Sequence, residues 1–228
     1  DNVRANHDVI ELAKQHSQPA IILQVDFKKA FDTLSFSFII KTFHFYNFGP
    51  AFIDAITNIL KGFQAMTVNG GHPSEMFNVD RGCRQGDPLS PLLFILCVEL
   101  LNTRIKHDRN IKHFALFDTK VPLIAYADDV NLYIQVEENS LRKCINVMNR
   151  FYEISGLEIN MAKTSCTYIG GTYIEEEHMI CPDLNLNWIV DFKLLGINFD
   201  NLNNKTLANY EVKILEMEKE MQAWEYCV

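Results

Sequence analysis

An apolar run that ends in an acid sets the strongest limit on how this chain folds. Residues 20–25 read Ala-Ile-Ile-Leu-Gln-Val, and Asp26 follows them directly. A nearly continuous apolar run of this length is typical of a central strand that is covered on both faces. The run therefore predicts a buried strand with a carboxylate at its end, where the acid is poorly solvated.

A second pair of acids lies between two apolar segments. Residues 121–126 and 130–136 flank Asp128 and Asp129, which predicts a tight hairpin with both acids at its tip. Carboxylates gathered with Asp26 beside a hydrophobic sheet would repel one another, and divalent cations between them would make the arrangement favourable. Such acids can hold two magnesium ions about 4 Å apart, which activate an attacking hydroxyl and stabilise a leaving pyrophosphate.

Each of these acids also has a simpler interpretation. An isolated Asp-Asp pair is more often a turn, because Asp favours turns for backbone reasons. Asp26 alone reads as the end of a strand or the cap of a helix. The metal-site hypothesis therefore depends on the combination of the two segments.

The remaining elements alternate between helices and short strands. Predicted helices cover residues 1–16, 35–47, 51–61, 88–106 and 139–154. A hairpin around an Asn-Gly turn is predicted within residues 67–79, and strand-like pieces at 165–169 and 192–199. The last segment, from Leu207, has an apolar seam at spacings of three and four, which predicts a helix packed on its own domain rather than a coiled coil.

Composition limits the class of protein. The 228 residues are 48% hydrophobic and 22% charged, which is ordinary for a globular chain, and no apolar run is long enough for a membrane span. The six cysteines are scattered without a Cys-x-x-Cys pair, so we expect reduced, packed thiols rather than a zinc site. The net charge of −8 argues against a simple basic nucleic-acid-binding module, although a metal-binding site also concentrates carboxylates. We also expect no signal peptide, and the absence of an initiator Met suggests a fragment of a longer chain.

Five segments in series resemble the catalytic motifs of reverse transcriptases. In chain order they are residues 25–32 (VDFKKAFD), 81–94 (RGCRQGDPLSPLLF), 125–129 (AYADD), 156–160 (GLEIN) with Lys163, and 192–196 (FKLLG). Each motif alone is weak to moderate evidence, whereas five in the correct order are strong. The Arg-Gln-Gly form of the second motif resembles that of non-LTR retrotransposons of the long interspersed element type.

The resemblance implies roles for the acids and for one lysine. Asp26 and Asp128 would be the principal ligands of two Mg²⁺ ions, with Mn²⁺ as a possible substitute. Asp129 would support the site, because adjacent strand residues point to opposite faces. The backbone carbonyl of Phe27 would complete a metal shell, and Lys163 would donate a proton to pyrophosphate or neutralise its charge; an ordinary solvated lysine is the alternative.

The resemblance also implies residues around the nucleotide and the primer. Phe31 matches the ring that excludes a ribose 2′-hydroxyl, against the alternative of a core aromatic residue. The remaining candidates would contact the nucleotide, the template or the primer end: Arg84, Gln85, Gly86 and Tyr126 at the nucleotide, and Leu195 and Gly196 in the primer grip. Glycine at position 86 lets a backbone approach a ligand closely, whereas Arg84 alone reads equally as a surface residue.

The implied fold is α+β, a right-hand polymerase palm of antiparallel sheet and packed helices with partial fingers and the start of a thumb. The predicted division is a fingers remnant at 1–18, palm at 19–33, fingers at 34–86, palm at 87–204 and the first thumb helix at 205–228. Most of the basic fingers region and of the thumb would lie outside this chain, which bears on its activity in isolation.

The implied function is RNA-directed DNA synthesis, in which dNTPs are joined to the 3′-hydroxyl of a DNA primer on an RNA template. An intracellular ribonucleoprotein, in nucleus and cytoplasm, is the expected setting, with no membrane contact and no secretion. The alternative is a truncated or inactive fragment that only binds nucleic acid. A phosphoesterase with carboxylate-bound metals ranks lower, because it explains neither the Gln85-Gly86 loop nor Phe31.

Overall fold

The computed structural model describes residues 2–171, 180–194, 196–200 and 206–225. Its helices, in chain order, are α1 (Asn2–Gln15), α2 (Ala30–Thr33), α3 (Phe36–Phe45), α4 (Pro50–Leu60), α5 (Ser90–Lys106), α6 (Glu138–Ser155) and α7 (Thr206–Glu225), with a 3₁₀ turn at Pro182–Leu184. Its strands are β1 (Ala20–Val25), β2 (Gln64–Ala65), β3 (Val68–Asn69), β4 (His72–Pro73), β5 (Phe77–Asn78), β6 (Phe114–Leu116), β7 (Thr119–Val121), β8 (Leu123–Tyr126), β9 (Asp129–Gln135), β10 (Ser165–Ile169), β11 (Asn187–Trp188), β12 (Asp191–Leu194) and β13 (Ile197–Asp200).

The central sheet has five strands in the order β11-β10-β1-β9-β8. Strand β1 lies in the middle and pairs antiparallel with both β9 and β10, whereas β11 runs parallel to β10. The sheet is therefore antiparallel as predicted, except at its β11 edge.

Strand β1 is covered on both faces, as its sequence predicts. Ile21, Leu23 and Val25 face a larger core formed with α2–α6, and Ala20 and Ile22 face a smaller core on the opposite side. The smaller core is formed with α1, β6 and the β12–β13 hairpin. Because successive strand residues alternate between faces, both cores depend on this one strand.

Local sequence explains where the helices begin and end. Pro50 and Pro91 lie in the first turns of α4 and α5, where no intrahelical partner awaits the missing N–H. Helix α6 ends at Gly156, whose φ of 82° is the left-handed conformation that glycine adopts readily. A side chain there would also meet the Thr33 carbonyl oxygen. The end of α6 is thus fitted against the segment that follows Asp26.

Several elements differ from those predicted. The segment 192–199 forms a two-strand hairpin, β12–β13, because Gly196 reverses the chain with a φ of 84°. The predicted 67–79 hairpin consists of the β3–β4 pair nested inside the β2–β5 pair. The β6–β7 hairpin was not predicted. Five cysteines are buried as free thiols: Cys83, Cys97, Cys144, Cys166 and Cys181.

The terminal helices have different surroundings. Helix α1, in the predicted fingers remnant, packs against β8 and β10 of the central sheet. Helix α7 contacts β13, and the part of its apolar seam that the structure describes is exposed, including Tyr210, Ile214 and Met217. Among the described helices, none has the length and apolar character to cross a membrane.

Candidate active site

Strand register brings Asp26 level with Asp129. Val25 pairs with Val130 in the antiparallel β1–β9 ladder. The residue after Val25, Asp26, and the residue before Val130, Asp129, therefore lie side by side. Val25 and Val130 both face the larger core, and Asp26 and Asp129 therefore point to the opposite face of the sheet. Both acids line one cleft on that face.

The backbone of Asp26 is fixed from one side by the segment that precedes β10. The Asn160 N–H donates to the Asp26 carbonyl at 2.8 Å, and the Asp26 N–H donates to the Thr164 hydroxyl oxygen at 3.3 Å. The Lys28 N–H donates to the Glu158 carbonyl at 2.8 Å. Because peptide groups alternate sides along an extended chain, the Phe27 carbonyl between these bonds is directed away from the 158–160 segment. That carbonyl is therefore suited to supply a further oxygen ligand.

The Asp129 carboxyl group is affected by its neighbours. Partial burial raises its pKa first, and the negative charges of Asp128 and Asp26 raise the pKa further. A divalent cation would relieve this repulsion. The two carboxylates of the cleft and the Phe27 carbonyl are oxygen donors, which suit a hard cation that also keeps water and phosphate ligands. Within the described ranges, however, no three acidic, His or Cys side chains are arranged as a ready-made metal cluster.

Asp128 is placed differently from Asp129. Tyr126 pairs with Asp129, so Ala127 and Asp128 form the two-residue turn between β8 and β9. Both acids are exposed, but Asp128, unlike Asp129, is not among the residues that line the cleft. Ala127 has a φ of 54°, an uncommon conformation for a residue with a Cβ, and such residues concentrate at functional sites. The structure therefore brings Asp26 together with Asp129, while Asp128 stands beside them at the tip.

Lysine side chains line the same cleft. Lys163 follows a turn held by its own N–H, which donates to the Asn160 carbonyl at 3.0 Å, and its side chain is exposed. Lys193 of β12 also lines the cleft, so the predicted primer-grip hairpin forms one wall. Sequence reasoning missed Lys193, although the alternation of buried Phe192 and Leu194 around it indicates that it faces the other way.

The Arg84-Gln85-Gly86 loop is attached to the segment after Asp26. The Cys83 N–H donates to the Phe31 carbonyl at 2.5 Å, and the Gly82 N–H donates to the Leu34 carbonyl at 2.8 Å. The Phe31 ring stacks on Phe94 of α5 with centroids 4.5 Å apart, and the residue is only partly buried. One face of this ring therefore packs on the core while part of it stays accessible.

The loop residues themselves face a pocket and solvent. The Arg84 guanidinium lies 3.4 Å from the centroid of the Phe63 ring, which is a cation–π contact. Gln85 lines the same pocket and is exposed. Gly86 has a φ of 84° and open space where a Cβ would stand, so its backbone favours glycine and a ligand has room to approach.

The other predicted residues lie at the ends of hairpins. Tyr126, at the end of β8, is 63% exposed, so its ring is accessible to a ligand. Gly196 is exposed at the β12–β13 turn. Leu195 lies outside the described residues.

Comparison with known proteins decides the family. A family model described as reverse transcriptase (RNA-dependent DNA polymerase) matches residues 2–199. The chain belongs to the reverse transcriptase family. The predicted reverse transcriptase domain of a non-LTR retrotransposon is thereby confirmed, and the family generally uses divalent metals.

Relatives of this reverse transcriptase domain include polyproteins of retrotransposable elements. The Pol polyprotein of the type-2 element R2DM from Drosophila melanogaster is 29% identical over 212 residues, which are 87% of this chain and 20% of that protein. A Pol polyprotein of a type-1 element R2 from Popillia japonica is 26% identical over 209 residues, 84% of this chain and 33% of that protein. The chain thus spans between a fifth and a third of the length of these two relatives.

Solved telomerase structures share the fold of this reverse transcriptase domain. Apo telomerase from Candida tropicalis superposes with a TM-score of 0.60 at 14% identity, over 88% of this chain and 39% of that one. Telomerase from Candida albicans, in complex with a TWJ fragment of telomeric RNA, gives a TM-score of 0.57 at 13% identity, over 88% and 32% of the two chains. The predicted α+β polymerase-palm fold is confirmed.

Proposed function

We propose that this domain is the catalytic core of an RNA-directed DNA polymerase that extends a DNA primer with dNTPs on an RNA template. The observation that carries the proposal is the shared position of Asp26 and Asp129, from strands far apart in sequence, in one cleft that also holds Lys163. Membership of the reverse transcriptase family supports it.

The acids of this cleft would hold two Mg²⁺ ions, for which Mn²⁺ is a chemical substitute. Asp26 and Asp129 would bind from within the cleft, and Asp128 from the adjoining turn. The Phe27 carbonyl, next to Asp26 in the chain, would supply a further oxygen. When bound, such cations promote loss of the primer hydroxyl proton and neutralise the triphosphate charge. The fixed backbone of Asp26 would orient its carboxylate without reorganisation during the reaction.

The remaining residues would select and position the nucleotide. Lys163 would hold a proton at Nζ beside the departing pyrophosphate, since it lines the cleft of the two acids. Phe31, fixed by its stacking on Phe94, would exclude a 2′-hydroxyl. Gln85 and Gly86 would contact the nucleotide and the template from the attached loop, and Tyr126 and Gly196 would lie near the nucleotide and the primer end.

The decisive experiment measures primer extension on a primed RNA template by the full-length protein with Asp26→Asn, Asp129→Asn and Asp128→Asn. Loss of about 4 kcal/mol of charge stabilisation corresponds to a decrease of about 1,000-fold in kcat for Asp26→Asn. The strand register leads us to expect an equal loss for Asp129→Asn, whereas the motif resemblance assigns that loss to Asp128→Asn. The kcat values of the three variants therefore show which acid of the hairpin, Asp128 or Asp129, contributes more to catalysis.

Asp118→Asn is the matched control, because Asp118 is an exposed acid in the turn of another hairpin, β6–β7. It should extend primers at the wild-type rate. Full activity of Asp26→Asn would refute the proposed site. Salt-sensitive binding of primer–template without any incorporation by the wild-type protein would instead identify the alternative function, a nucleic-acid-binding fragment without catalysis.

A further inference from the structure

Two adjoining grooves cross the outer side of the helices that cover the larger core. One groove lies between α5 and α6, and the other lies between α3 and the C-terminal end of α6. Both are lined by Glu153 and Ile154, so they form one continuous surface, here called the helical-face groove. None of its lining residues belongs to the cleft of Asp26 and Asp129.

Cations are concentrated in the helical-face groove. Its charged lining consists of five basic and two acidic side chains, on a chain whose net charge is −8. They are Lys41, Arg81, Arg104, Lys143 and Arg150, with Asp80 and Glu153. The groove is therefore locally positive where the rest of the chain is strongly negative, which favours a polyanionic ligand.

The cations of the groove have two kinds of environment. Arg104 and Lys143 converge from α5 and α6 on the Asp108 carboxylate, at 3.2 and 3.7 Å, and the Asp108 side chain is only 2% exposed. Lys41, Arg81 and Arg150 form no ion pair with any residue that the structure describes. One pair of cations is thus held in place by a buried acid, and three others keep their charge available to a ligand.

Exposed aromatic rings lie among these cations. Phe45 at the end of α3 is 71% exposed, and Tyr152 of α6 is 43% exposed, and both line the groove. Proteins that bind single-stranded nucleic acid combine a positive groove along the backbone with aromatic side chains on which bases stack. A duplex would hide its bases from these rings, so the combination favours a single strand.

Arg81 connects the groove to the proposed active site. Its side chain lines both the helical-face groove and the pocket that contains Arg84 and Gln85. Its backbone also pairs with Ser35, in the segment that follows Phe31. An RNA strand that leaves the Gln85 loop can therefore pass directly into the groove.

We propose that the helical-face groove binds single-stranded RNA, with Lys41, Arg81 and Arg150 at phosphates and Phe45 and Tyr152 stacked on bases. The choice of RNA rather than another polyanion rests on the proposed function, which requires an RNA template. An acidic protein segment is the competing occupant. It would use the same cations without requiring base stacking.

The test measures binding of a fluorescent 20-nucleotide oligouridylate to the full-length protein by anisotropy at several salt concentrations. Arg150→Gln should weaken binding and lower the slope of log affinity against log salt by about 0.7, the value for one phosphate contact with a single strand. Phe45→Ala should weaken binding about fivefold or more, the lower limit for one base–aromatic stack.

Each variant has a matched control outside the groove. Arg109 is an exposed arginine without an ion pair among the described residues, so Arg109→Gln removes the same charge elsewhere. Phe117 is 80% exposed in the β6–β7 turn, so Phe117→Ala removes a ring that is at least as exposed as Phe45. Both controls should bind the RNA as the wild type does. Equal effects of Arg150→Gln and Arg109→Gln would overturn the proposal.

Ultraviolet cross-linking of the same RNA, followed by peptide mapping, locates the strand. We expect cross-links at Phe45 or Tyr152, and cross-links confined to the Asp26 cleft would refute the groove. Displacement of RNA by polyglutamate, with Phe45→Ala binding RNA normally, would assign the groove to an acidic protein instead. Primer extension is measured separately. If RNA binds in the groove but no primer is extended, only the proposed polymerase function is refuted. If primers are extended but no cross-links form in the groove, only the proposed RNA-binding groove is refuted.

Discussion

The two sides of the proposed active site are built in different ways. Asp26 follows β1 and Asp129 begins β9, two strands whose inner residues are almost completely buried, such as Leu23 and Leu132, each with 0% exposure. The nucleotide-side loop follows the 64–78 segment, whose strands have two residues each and whose apolar side chains are largely exposed, as Val68 at 65% and Met76 at 61% show. Local stability follows buried apolar contact, so the sheet side should be rigid and the loop side should open easily.

This difference suits the proposed chemistry. Metal-binding carboxylates must be held within a fraction of an ångström, which a strand ladder achieves better than a loop. A surface that accepts each new nucleotide and template base must instead move during every cycle. The loop is attached to the rigid side mainly near Gly82 and Cys83, through their bonds to Leu34 and Phe31.

The largest expected effect separates the two sides by stability. Leu23→Ala removes a fully buried side chain from β1 and should lower the free energy of unfolding by about 3 kcal/mol. That loss corresponds to a fall of about 6–12 °C in melting temperature for a domain of this size. Thermal denaturation followed by circular dichroism measures it.

Val68→Ala is the matched truncation on the loop side. Because Val68 is 65% exposed, its loss should change the free energy of unfolding by less than about 0.5 kcal/mol. Comparable losses at the two positions would mean that the 64–78 segment is packed as firmly as the sheet, and the contrast would fail.

A second prediction concerns the attachment of the loop. Gly82 has a φ of 92°, and a Cβ there would lie 2.8 Å from the Asp32 carbonyl oxygen. Gly82→Ala should therefore cost about 2–3 kcal/mol through strain and displacement of the loop, and should raise KM for dNTP in primer extension. Thermal denaturation and steady-state kinetics measure the two effects.

Gly71→Ala separates strain from displacement. Gly71 has a similar φ of 82°, but nothing lies within 4 Å of the position of its Cβ. It should cost only about 1 kcal/mol, the penalty for a left-handed alanine, and should leave KM unchanged. If Gly82→Ala also left KM unchanged, the loop would not need its attachment to position the nucleotide.

The contrast between the two sides also explains how far the sequence alone could lead. The central strand and Asp26 at its end were predictable, because a nearly continuous apolar run of six residues leaves few alternatives to a buried strand. The motif series also assigns roles to Gln85, Gly86 and Lys163 by resemblance, and these roles remain predictions. These predictions depend on local pattern, which the chain carries explicitly.

Features that depend on register could not be predicted in the same way. Which acid of the hairpin faces Asp26 is decided by the two-residue turn at Ala127 and Asp128, and a shift of one residue would exchange Asp128 and Asp129. The stacking of Arg84 on Phe63 depends on how the β2–β5 pair folds back. Such placements arise from tertiary contacts between segments, and no local pattern specifies them.

The smallest expected effect tests the repulsion among the acids. The pKa of Asp129 is raised in the folded protein, so the folded state binds its proton more tightly than the unfolded state does. Ionisation of Asp129 at neutral pH therefore costs stability, and Asp129→Asn should be more stable than the wild type there. The gain should stay below about 1 kcal/mol, or about 4 °C, because the carboxyl group is partly exposed.

The stability gain of Asp129→Asn over the wild type should depend on pH. The advantage of Asp129→Asn should be complete above the folded-state pKa and should vanish only as pH falls below about 3.9, the ordinary Asp value, where the carboxyl group is protonated in both states. Magnesium should raise the melting temperature of the wild type at pH 7 more than that of Asp129→Asn, because the ion relieves the same repulsion. Asp118→Asn, in the exposed β6–β7 turn, leaves the acids of the cleft in place, so magnesium should raise its melting temperature as much as that of the wild type. A gain for Asp129→Asn that persisted at pH 3, or equal magnesium shifts in the two proteins, would mean that the repulsion lies elsewhere and that the strand ends do not gather their acids around a cation.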